Sequence, residues 1–292
     1  MEIHPSAIVS PDAQIGENVT IGPFSVVEPG VVLGDGCSLG IHSIVKSGTT
    51  LGKNNRVEDS AILGGVPQHT NPPAKIGGVI IGDNNVFREN VTIHRSLYEG
   101  ENTIVGNNNF MMVNAHVAHD CVLGDNIILV NNTMLGGHVT VEDRAFISGG
   151  TAVHQFCRIG AYAMIGGQAH LTREVPPFVT VDGLSSLVVG LNKVGLRRAG
   201  FTSEQITELK KVYRVLYRSR TTWEETLKRL DEEFPEETAH RVYEFCLEVK
   251  RGIVGERRLP PSATLKLLTG EDQEEAATEE QTVAENLKTK AG

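Results

Sequence analysis

Apolar residues recur at every sixth position along most of this chain. Between Val105 and Leu171 the period has no exception, and the same phase extends upstream from Leu63 to Ile3. A period of six matches neither the 3.6-residue turn of an α-helix nor the two-residue alternation of a simple strand. It is typical of a parallel β-helix, in which each hexapeptide gives one short strand and one turn, and three hexapeptides close a coil of about 18 residues.

The residues between these apolar anchors suit the turns and the interior of such a coil. Glycine often follows an anchor, and Asn or Asp crowds the next positions, so we expect these residues to supply left-handed backbone at the corners. The residue two positions before an anchor is small or β-branched, as at Ala13, Ser25, Cys37, Ser43, Thr49 and Ala115. Aromatic residues make up only 5% of the chain, which fits a narrow interior.

Interruptions of the pattern define the expected domain organisation. We predict a β-helix domain over residues 1–185, with loops at 64–79 and 95–103, where the apolar anchors are missing. Loops on a rigid scaffold often carry function, so the section between them is the expected site. Residues 173–178 are expected to leave the coil.

The C-terminal third has the pattern of amphipathic helices. Possible capping boxes predict helix starts at Thr202 and Thr222, and a third helix is expected after Pro235, so residues 186–268 form a predicted helical domain. The final segment, 269–292, is acidic and poor in large apolar residues, which is typical of disorder.

Charge, cysteine usage and the N-terminus narrow the class of protein. The 292-residue chain has a net charge of −9, whereas nucleic-acid binding would favour a basic face. Its four cysteines show no close pairing, which suits a reducing compartment. The N-terminus has neither a basic stretch followed by an apolar one nor a membrane span, so we expect a cytoplasmic protein.

Six of the ten histidines fall in the middle and later coils: His94, His116, His119, His138, His154 and His170. Successive positions in the series His119, His138 and His154 are separated by nearly one coil, so these three could line one edge. An imidazole beside a carboxylate is a ready general base, which makes His119 with Asp120 the candidate. Hydrogen-bonding surface histidines and a zinc site are the alternatives, and the His-x-x-His spacing disfavours zinc.

A basic cluster enters the predicted helical region. It consists of Lys193, Arg197 and Arg198. Such a cluster is either a solvated face or a receptor for phosphate.

Four segments are more specific than the hexapeptide pattern: Thr92–Arg95, Asn114–Cys121, Thr151–Cys157 and Gly195–Phe201. Together they resemble the acyl-[acyl-carrier-protein]–UDP-N-acetylglucosamine O-acyltransferase family, which starts lipid A biosynthesis, and the resemblance covers about residues 1–255. It implies a left-handed parallel β-helix followed by a C-terminal helical domain. It also implies a homotrimer with active sites between subunits.

The resemblance assigns roles to individual residues. His119 matches the catalytic base and Asp120 the carboxylate that orients it, for direct transfer of a (3-hydroxy)fatty acyl group from acyl carrier protein to the sugar 3-hydroxyl. The implied substrate-binding residues are Gln68, His116, Gly137, His138, His154, Gln155, Gly167, Asn192 and Arg198. No metal is implied, and the only cofactor is the phosphopantetheine of the carrier.

Some of these positions have more particular implied roles. The backbone amide of Gly137 would stabilise the oxyanion, and Gly167 falls where the family limits the length of the acyl chain, with glycine leaving space for a longer chain. Asn192 contacts the nucleotide together with Arg198, and Gln155 contacts the acyl donor.

The chain departs from the family pattern around the acceptor. In the first loop His69, Thr70 and Asn71 stand where the family usually has Asp-x-Lys, while Val194 and Ala199 replace an acid and an arginine near the nucleotide. Two alternatives therefore stay open. One is the same chemistry on a different UDP-amino sugar, with N-acylation at a 3-amine, and the other is a non-catalytic hexapeptide-repeat trimer.

Overall fold

The computed structural model describes residues 1–257, which form one compact unit. Within them, short strands follow one another at the hexapeptide period and four helices follow the strands. The strands are β1 (Glu2–Ile3), β2 (Ile8–Val9), β3 (Gln14–Ile15), β4 (Thr20–Ile21), β5 (Val26–Val27), β6 (Val32–Leu33), β7 (Ser38–Leu39), β8 (Ile44–Val45), β9 (Thr49–Leu51), β10 (Arg56–Val57), β11 (Ile62–Gly65), β12 (Gly78–Ile81), β13 (Val86–Phe87), β14 (Thr92–His94), β15 (Asn102–Val105), β16 (Phe110–Met111), β17 (His116–Val117), β18 (Val122–Leu123), β19 (Ile128–Leu129), β20 (Met134–Leu135), β21 (Thr140–Val141), β22 (Phe146–Ile147), β23 (Ala152–Val153), β24 (Arg158–Ile159), β25 (Met164–Ile165), β26 (His170–Leu171), β27 (Val179–Val181) and β28 (Val188–Leu191). The helices are α1 (Lys193–Arg198), α2 (Ser203–Arg218), α3 (Trp223–Glu233) and α4 (Glu237–Leu247).

From β1 to β26 every third strand belongs to the same sheet, so this part of the chain winds around three parallel faces. The first sheet begins with β1-β4-β7, the second with β2-β5-β8, and the third contains β3-β6-β9. Strand partners such as Ile3 and Ile21 are separated in sequence by three hexapeptides, which make one coil. The predicted parallel β-helix is confirmed, and its left-handed sense stays a prediction.

The apolar anchors form the interior of the coil, as the pattern predicts. Ile21, Leu33 and Phe87 are at most 2% exposed, and the small residue two positions before an anchor is also buried, as at Cys37 and Ala115. Each anchor stacks on the anchor of the next coil, so the apolar surface is continuous along the axis. This continuous packing makes a rigid scaffold for the corners.

The left-handed backbone is confirmed at the expected asparagines but not at most of the glycines that directly follow an anchor. Positive φ angles recur at the third residue after an anchor, on Asn54 and Asn126 but also on His42 and Phe24. Most glycines that directly follow an anchor have another role. At Gly34, for example, an added Cβ would overlap a carbonyl oxygen of the next coil, so glycine allows the coils to approach closely.

Buried asparagines form a ladder inside one corner. The side chain of Asn85 donates to Asn55 Oδ1 and to the carbonyl of Gly106, and its own Oδ1 accepts the N–H of Asn109. These three asparagines are at most 1% exposed. The ladder therefore satisfies backbone groups that the turns would otherwise leave unpaired.

Replacing Asn85 by alanine is expected to destabilise the fold by about 2–4 kcal/mol, because it leaves buried polar groups of the adjacent coils without partners. Urea denaturation at fixed protein concentration measures the change. Asn131→Ala is the control, since Asn131 is exposed and lies next to a turn of the same kind. Equal stability of the two variants would contradict the structural role of the ladder.

The two interruptions are loops, with bounds slightly inside the predicted ones. The first runs over residues 66–77 between β11 and β12, and the second over 95–101 between β14 and β15. Strands beyond each loop still pair in register, as Val57 does with Phe87 and Phe87 with Met111, so the loops lengthen single coils. The pairing of β11 with β14 shifts register between Leu63 and Gly65, where the first loop begins. Both loops leave the same corner, between the second and third sheets.

The prediction that residues 173–178 leave the coil is wrong. Val175 bridges Ile159, and β27 pairs in parallel with β25, so the chain completes a further irregular coil. Strand β28 then pairs with β27 in the antiparallel sense. It lies within the predicted helical domain, while the domain boundary at residue 185 stays a prediction.

Three of the four described helices begin at the predicted places, and α1 was not predicted. Thr202 and Gln205 form a reciprocal capping box at the start of α2. Thr222 caps α3 by accepting the N–H of Glu225. The helices bury their apolar faces against one another and against Phe178 at the end of the coil. The predicted tail at 269–292 lies outside the described residues.

Candidate active site

The corner between the second and third sheets carries both loops and three of the predicted histidines. His119 follows β17, His138 follows β20 and His154 follows β23, each in the turn that leads to the third sheet. We call this edge the site corner. The sequence pattern predicts its histidines, but only the register shows that the loops project from the same edge.

His119 and Asp120 form a hydrogen-bonded pair at this corner. The Nδ1 atom of His119 lies 2.7 Å from Oδ2 of Asp120, and the two side chains are 11% and 8% exposed. With Nδ1–H donated to the carboxylate, the lone pair of a neutral imidazole is on Nε2. No protein partner of Nε2 is found among residues 1–257, so this nitrogen can accept a proton from a ligand.

The carboxylate of Asp120 is held on every side. Its Oδ1 accepts the hydroxyl of Ser96, and its Oδ2 accepts the N–H of Leu97 as well as His119. Burial alone would raise the pKa of Asp120, but these hydrogen bonds outweigh burial and hold the pKa below its ordinary value. Asp120 is therefore ionised at neutral pH.

Gly137 lies against the ring of His119. A Cβ atom at Gly137 would be 2.6 Å from Cε1 and 2.8 Å from Nε2 of His119, so only glycine leaves room for the imidazole in this position. Gly137 is one coil further along the corner than His119. Its backbone N–H donates to no carbonyl within the described chain and is free to bind a ligand.

His138 contacts two aromatic side chains in addition to His119. Its ring packs edge-on against His119 at 5.2 Å and face-to-face on Phe156 at 4.5 Å, with Tyr98 of the second loop at 6.1 Å. Burial lowers the pKa of His138, although Asp120 opposes the shift. His154 lies on the same corner, but its coil neighbour is Gly136 rather than another histidine.

An open groove of about 700 Å³ runs over the outer face of the second sheet beside this pair. It is bounded by polar side chains, small residues and Met134. Six of the predicted site residues line it: His119, Gln68, His116, Gly137, His154 and Gln155. The groove thus brings together positions from the first loop and from three successive coils.

His116 and His94 form a second imidazole pair behind the groove. Their rings are 5.1 Å apart, and His116 Nδ1 lies 2.8 Å from the Thr92 hydroxyl. Burial lowers the pKa of both, that of His116 to about 4. Both are neutral at pH 7, so this side of the groove does not carry positive charge.

The lowered pKa of His116 predicts a loss of stability in acid. The unfolded chain binds a proton at about pH 6.5 and the folded chain only near pH 4, so the free energy of unfolding should fall as pH drops through this window. His116→Gln should flatten that dependence, measured as denaturation midpoints from about pH 7 to about pH 4.5. The exposed His170→Gln serves as control, and an unchanged slope in His116→Gln would contradict the assignment.

Three predicted substrate-binding residues lie away from the groove of a single chain. Gly167 is exposed at the corner between the first and second sheets. Asn192 caps α1, with its amide also donating to the carbonyl of Tyr162, and Arg198 is exposed at the end of the same helix. The basic cluster that includes Arg198 therefore lies on α1.

The altered first loop reaches the pair directly. The ring of His69 is 6.3 Å from the ring of His119, and His69 Nδ1 accepts the N–H of Asn71. The replaced residues at Val194 and Ala199 lie in and just after α1 and are exposed. The departure at His69 is therefore the one that adjoins the candidate base.

The distances among His119, Asp120 and His138 bear on whether the site could hold a metal ion. One group of possible ligands is found in the described chain: His119, Asp120 and His138, with ligand atoms within 4.8 Å of one another. The 2.7 Å between His119 Nδ1 and Asp120 Oδ2 is a hydrogen-bond distance, whereas two ligands of one tetrahedral zinc ion lie roughly 3.4 Å apart. The pair has the geometry of an acid–base dyad.

Comparisons with known proteins identify the family of this chain. Residues 174–254 match the family described as Udp N-acetylglucosamine O-acyltransferase, Domain 2. The acyl-[acyl-carrier-protein]–UDP-N-acetylglucosamine O-acyltransferase of Myxococcus xanthus is 44% identical over 255 residues, or 86% of this chain and 98% of that protein. The chain belongs to this O-acyltransferase family.

Solved structures give the same assignment. The UDP-N-acetylglucosamine acyltransferase of Francisella novicida superposes with a TM-score of 0.85 at 36% identity, covering 90% of this chain and 99% of that chain. The enzyme from Campylobacter jejuni gives 0.82 at 36%, covering 88% and 100%. The resemblance seen in the sequence is confirmed, and the chain is an enzyme of the O-acyltransferase family.

The helices carry no sign of a membrane span. None of them, over the residues that the structure describes, is both long and apolar enough to cross a bilayer.

Proposed function

We propose that this protein transfers a (3-hydroxy)fatty acyl group from acyl carrier protein to the 3-hydroxyl of UDP-N-acetylglucosamine, the first step of lipid A biosynthesis, with His119 as general base. The observation that carries the proposal is the His119–Asp120 pair, with a free Nε2 facing a groove beside the unpaired N–H of Gly137. The names of the relatives support the choice of substrates.

The chemistry is a direct transfer. Nε2 of His119 takes the proton of the sugar hydroxyl while that oxygen bonds to the thioester carbonyl carbon, and Asp120 stabilises the imidazolium through Nδ1–H. The backbone N–H of Gly137 donates to the oxyanion. When the carbon–sulfur bond breaks, the phosphopantetheine thiolate takes the proton from the imidazolium. Charge is balanced at each step by these groups, and no metal or bound cofactor is needed.

The residues around the dyad bind the two substrates. His138 lies beside the groove rather than in its lining, 3.8 Å from Asp120 Oδ2 and stacked on Phe156, so its ring has a fixed orientation next to the acceptor. His116 is neutral and can accept or donate a hydrogen bond to a sugar hydroxyl. Gln68, His154 and Gln155 lie at the exposed rim, where the sugar nucleotide and the acyl donor would enter.

We infer that the working unit is a homotrimer with sites between subunits. Gly167, Asn192 and Arg198 lie away from the groove of their own chain, so they would complete the groove of a neighbour as the acyl-length limit and the nucleotide contacts. Exposed Ile80, Ile104 and Val122 are aligned by strand register on the outer face of the third sheet. An aligned apolar stripe of this kind favours contact with a second copy.

The four cysteines bear on the cellular location of the protein. Cys37, Cys121, Cys157 and Cys246 are all buried free thiols, which fits the reducing cytoplasm, where we expect the acyl donor to be found. The expected partners are acyl carrier protein, a UDP-amino sugar and two further copies of the chain.

One assay tests the proposed function. The purified protein is given 3-hydroxyacyl thioesters of acyl carrier protein of several lengths, together with UDP-N-acetylglucosamine or its 3-amino analogue, and the acylated sugar nucleotide is measured by mass spectrometry. Ester formation is the expected result. Transfer to the 3-amino analogue alone would identify that sugar as the acceptor. The altered loop residue His69, which lies beside the base, is the reason for including this analogue. Transfer to neither sugar would favour a non-catalytic trimer.

A further inference from the structure

A serine of the second loop touches the carboxylate behind the proposed base. Ser96 is fully buried, and its hydroxyl donates to Oδ1 of Asp120 over 2.5 Å. That distance is typical of a hydroxyl bound to a charged carboxylate. Ser96 does not line the groove, so contact with a substrate does not account for this polar group in the interior.

The hydroxyl of Ser96 is itself fixed in direction. Its oxygen accepts the backbone N–H of Tyr98 over 3.0 Å, and the carboxylate of Asp120 is a nearer acceptor for its hydrogen than the carbonyl of Tyr98 at 3.4 Å. The backbone of Ser96 is held on both sides, because its N–H donates to the carbonyl of Gly78 and its carbonyl accepts the N–H of Gly77. The end of the first loop therefore anchors the start of the second.

This anchoring determines which face Asp120 turns to His119. Asp120 has left-handed backbone, with a φ of 61°, and its own N–H donates to the hydroxyl of Thr103. Its Oδ1 is bound by Ser96, and Oδ2 is left to the N–H of Leu97 and to His119. Rotation of the carboxylate about its χ2 angle would therefore break the contact with Ser96 together with the contact to the imidazole.

We propose that Ser96 is a positioning residue of the acyl transfer, which acts through Asp120 to hold the His119 imidazole in its base-competent tautomer and orientation. The proposal rests on the proposed function, since it needs His119 as the base. It gives a buried residue of the second loop a role in positioning the proposed base. It also couples the first loop to the dyad through Gly77 and Gly78.

A double-mutant cycle on kcat tests the proposal with the full-length protein. The variants are Ser96→Ala, Asp120→Ala and the double change, assayed with 3-hydroxyacyl carrier protein and the sugar nucleotide that the wild type accepts. We expect Ser96→Ala to lower kcat by about 10- to 100-fold, as for loss of a hydrogen bond to a charged group, with KM within about twofold. In the Asp120→Ala background the same change should lower kcat by less than about twofold, because the group it acts through is gone.

Two controls separate positioning from folding. Ser43→Ala removes another fully buried serine hydroxyl, which bonds Ser25 and the carbonyl of Gly40 and has no contact with the dyad, and should retain full kcat. Ser96→Thr keeps the hydroxyl and should recover a large part of the activity lost in Ser96→Ala. Melting temperatures of all variants are recorded beside the rates.

The outcomes are distinct. Equal loss of kcat from Ser96→Ala in both backgrounds, or full activity of Ser96→Ala beside an inactive His119→Ala, would overturn the positioning role and leave the proposed function intact. If Ser96→Thr is no better than Ser96→Ala although both remain folded, the hydroxyl is not the active feature and the proposal also fails. A wild type without transfer to any sugar would instead remove the proposed function itself.

Discussion

Replacement of His119 by alanine is expected to reduce kcat by about 10²–10⁴-fold while leaving KM for the sugar nucleotide within a few-fold. General-base catalysis contributes an effect of this size. Among residues 1–257, no other histidine that lines the groove is paired with a carboxylate. His138 is the nearest imidazole, but its Nε2 is 3.8 Å from Asp120 Oδ2 and its ring is held flat on Phe156, so it cannot take over the role without moving. Initial rates with saturating acyl carrier protein thioester give the value.

The control for this prediction is His170→Ala. His170 lies in β26, at the end of the second sheet beyond β17, β20 and β23, and is exposed outside the groove. It should keep wild-type rates and stability, whereas His119→Ala should remain folded but melt at a lower temperature, because it removes a buried imidazole and one partner of the Asp120 carboxylate. Retention of more than a tenth of the wild-type kcat by His119→Ala would remove His119 from the role of base.

Substitution of Gly137 by alanine is expected to lower kcat by about 100-fold through a single methyl group. The added Cβ would overlap the His119 ring at 2.6 Å, and the ring has to move, because the backbone of Gly137 is fixed in the coil. A displacement of about 1 Å at a reacting group can cost this much. The backbone N–H proposed to bind the oxyanion remains present, so the loss reports the position of the imidazole.

Gly149→Ala provides a matched comparison. Gly149 occupies the same place after an anchor at another corner, where the added methyl would meet the carbonyl of Asn131 at 3.1 Å and no catalytic group. It should show nearly full activity with a small loss of stability. A crystal structure of Gly137→Ala with His119 unmoved, or unimpaired kcat in that variant, would contradict the steric argument.

The histidine corner illustrates how far the sequence pattern reaches. A coil of three hexapeptides places His119 and His138 near each other, and the prediction that they share an edge is confirmed. The pattern alone suggested that three imidazoles line one edge. In the structure His138 stacks on Phe156 of the next coil, and the residue one coil before His154 is Gly136. The histidine spacings differ slightly from one full coil, and that difference is enough to move a side chain around the corner.

Ser96 and Gly137 show what the pattern could not give. Ser96 lies in a loop without apolar anchors, and its separation of 24 residues from Asp120 is longer than the regular 18-residue coil because the second loop is inserted between them. The sequence pattern gave no register across that insertion. In the sequence, Gly137 looks like the many other glycines of the turns. The resemblance implied a role only for its backbone amide. Only the distance between adjacent coils shows that the absence of a Cβ atom at Gly137 leaves room for the ring of His119.

The sequence by itself determined the parallel coil, the two loops, the starts of α2, α3 and α4 and the adjacent positions of His119 and Asp120. The six-residue period, the helix-capping residues and neighbours in sequence are local properties of the chain. Tertiary structure alone decided that both loops leave the corner of that pair, that Ser96 fixes Asp120 and that Gly167 and Arg198 lie away from the groove. Those relations depend on the strand register across the two loop insertions and on side-chain directions, which are set only when the coils pack against one another.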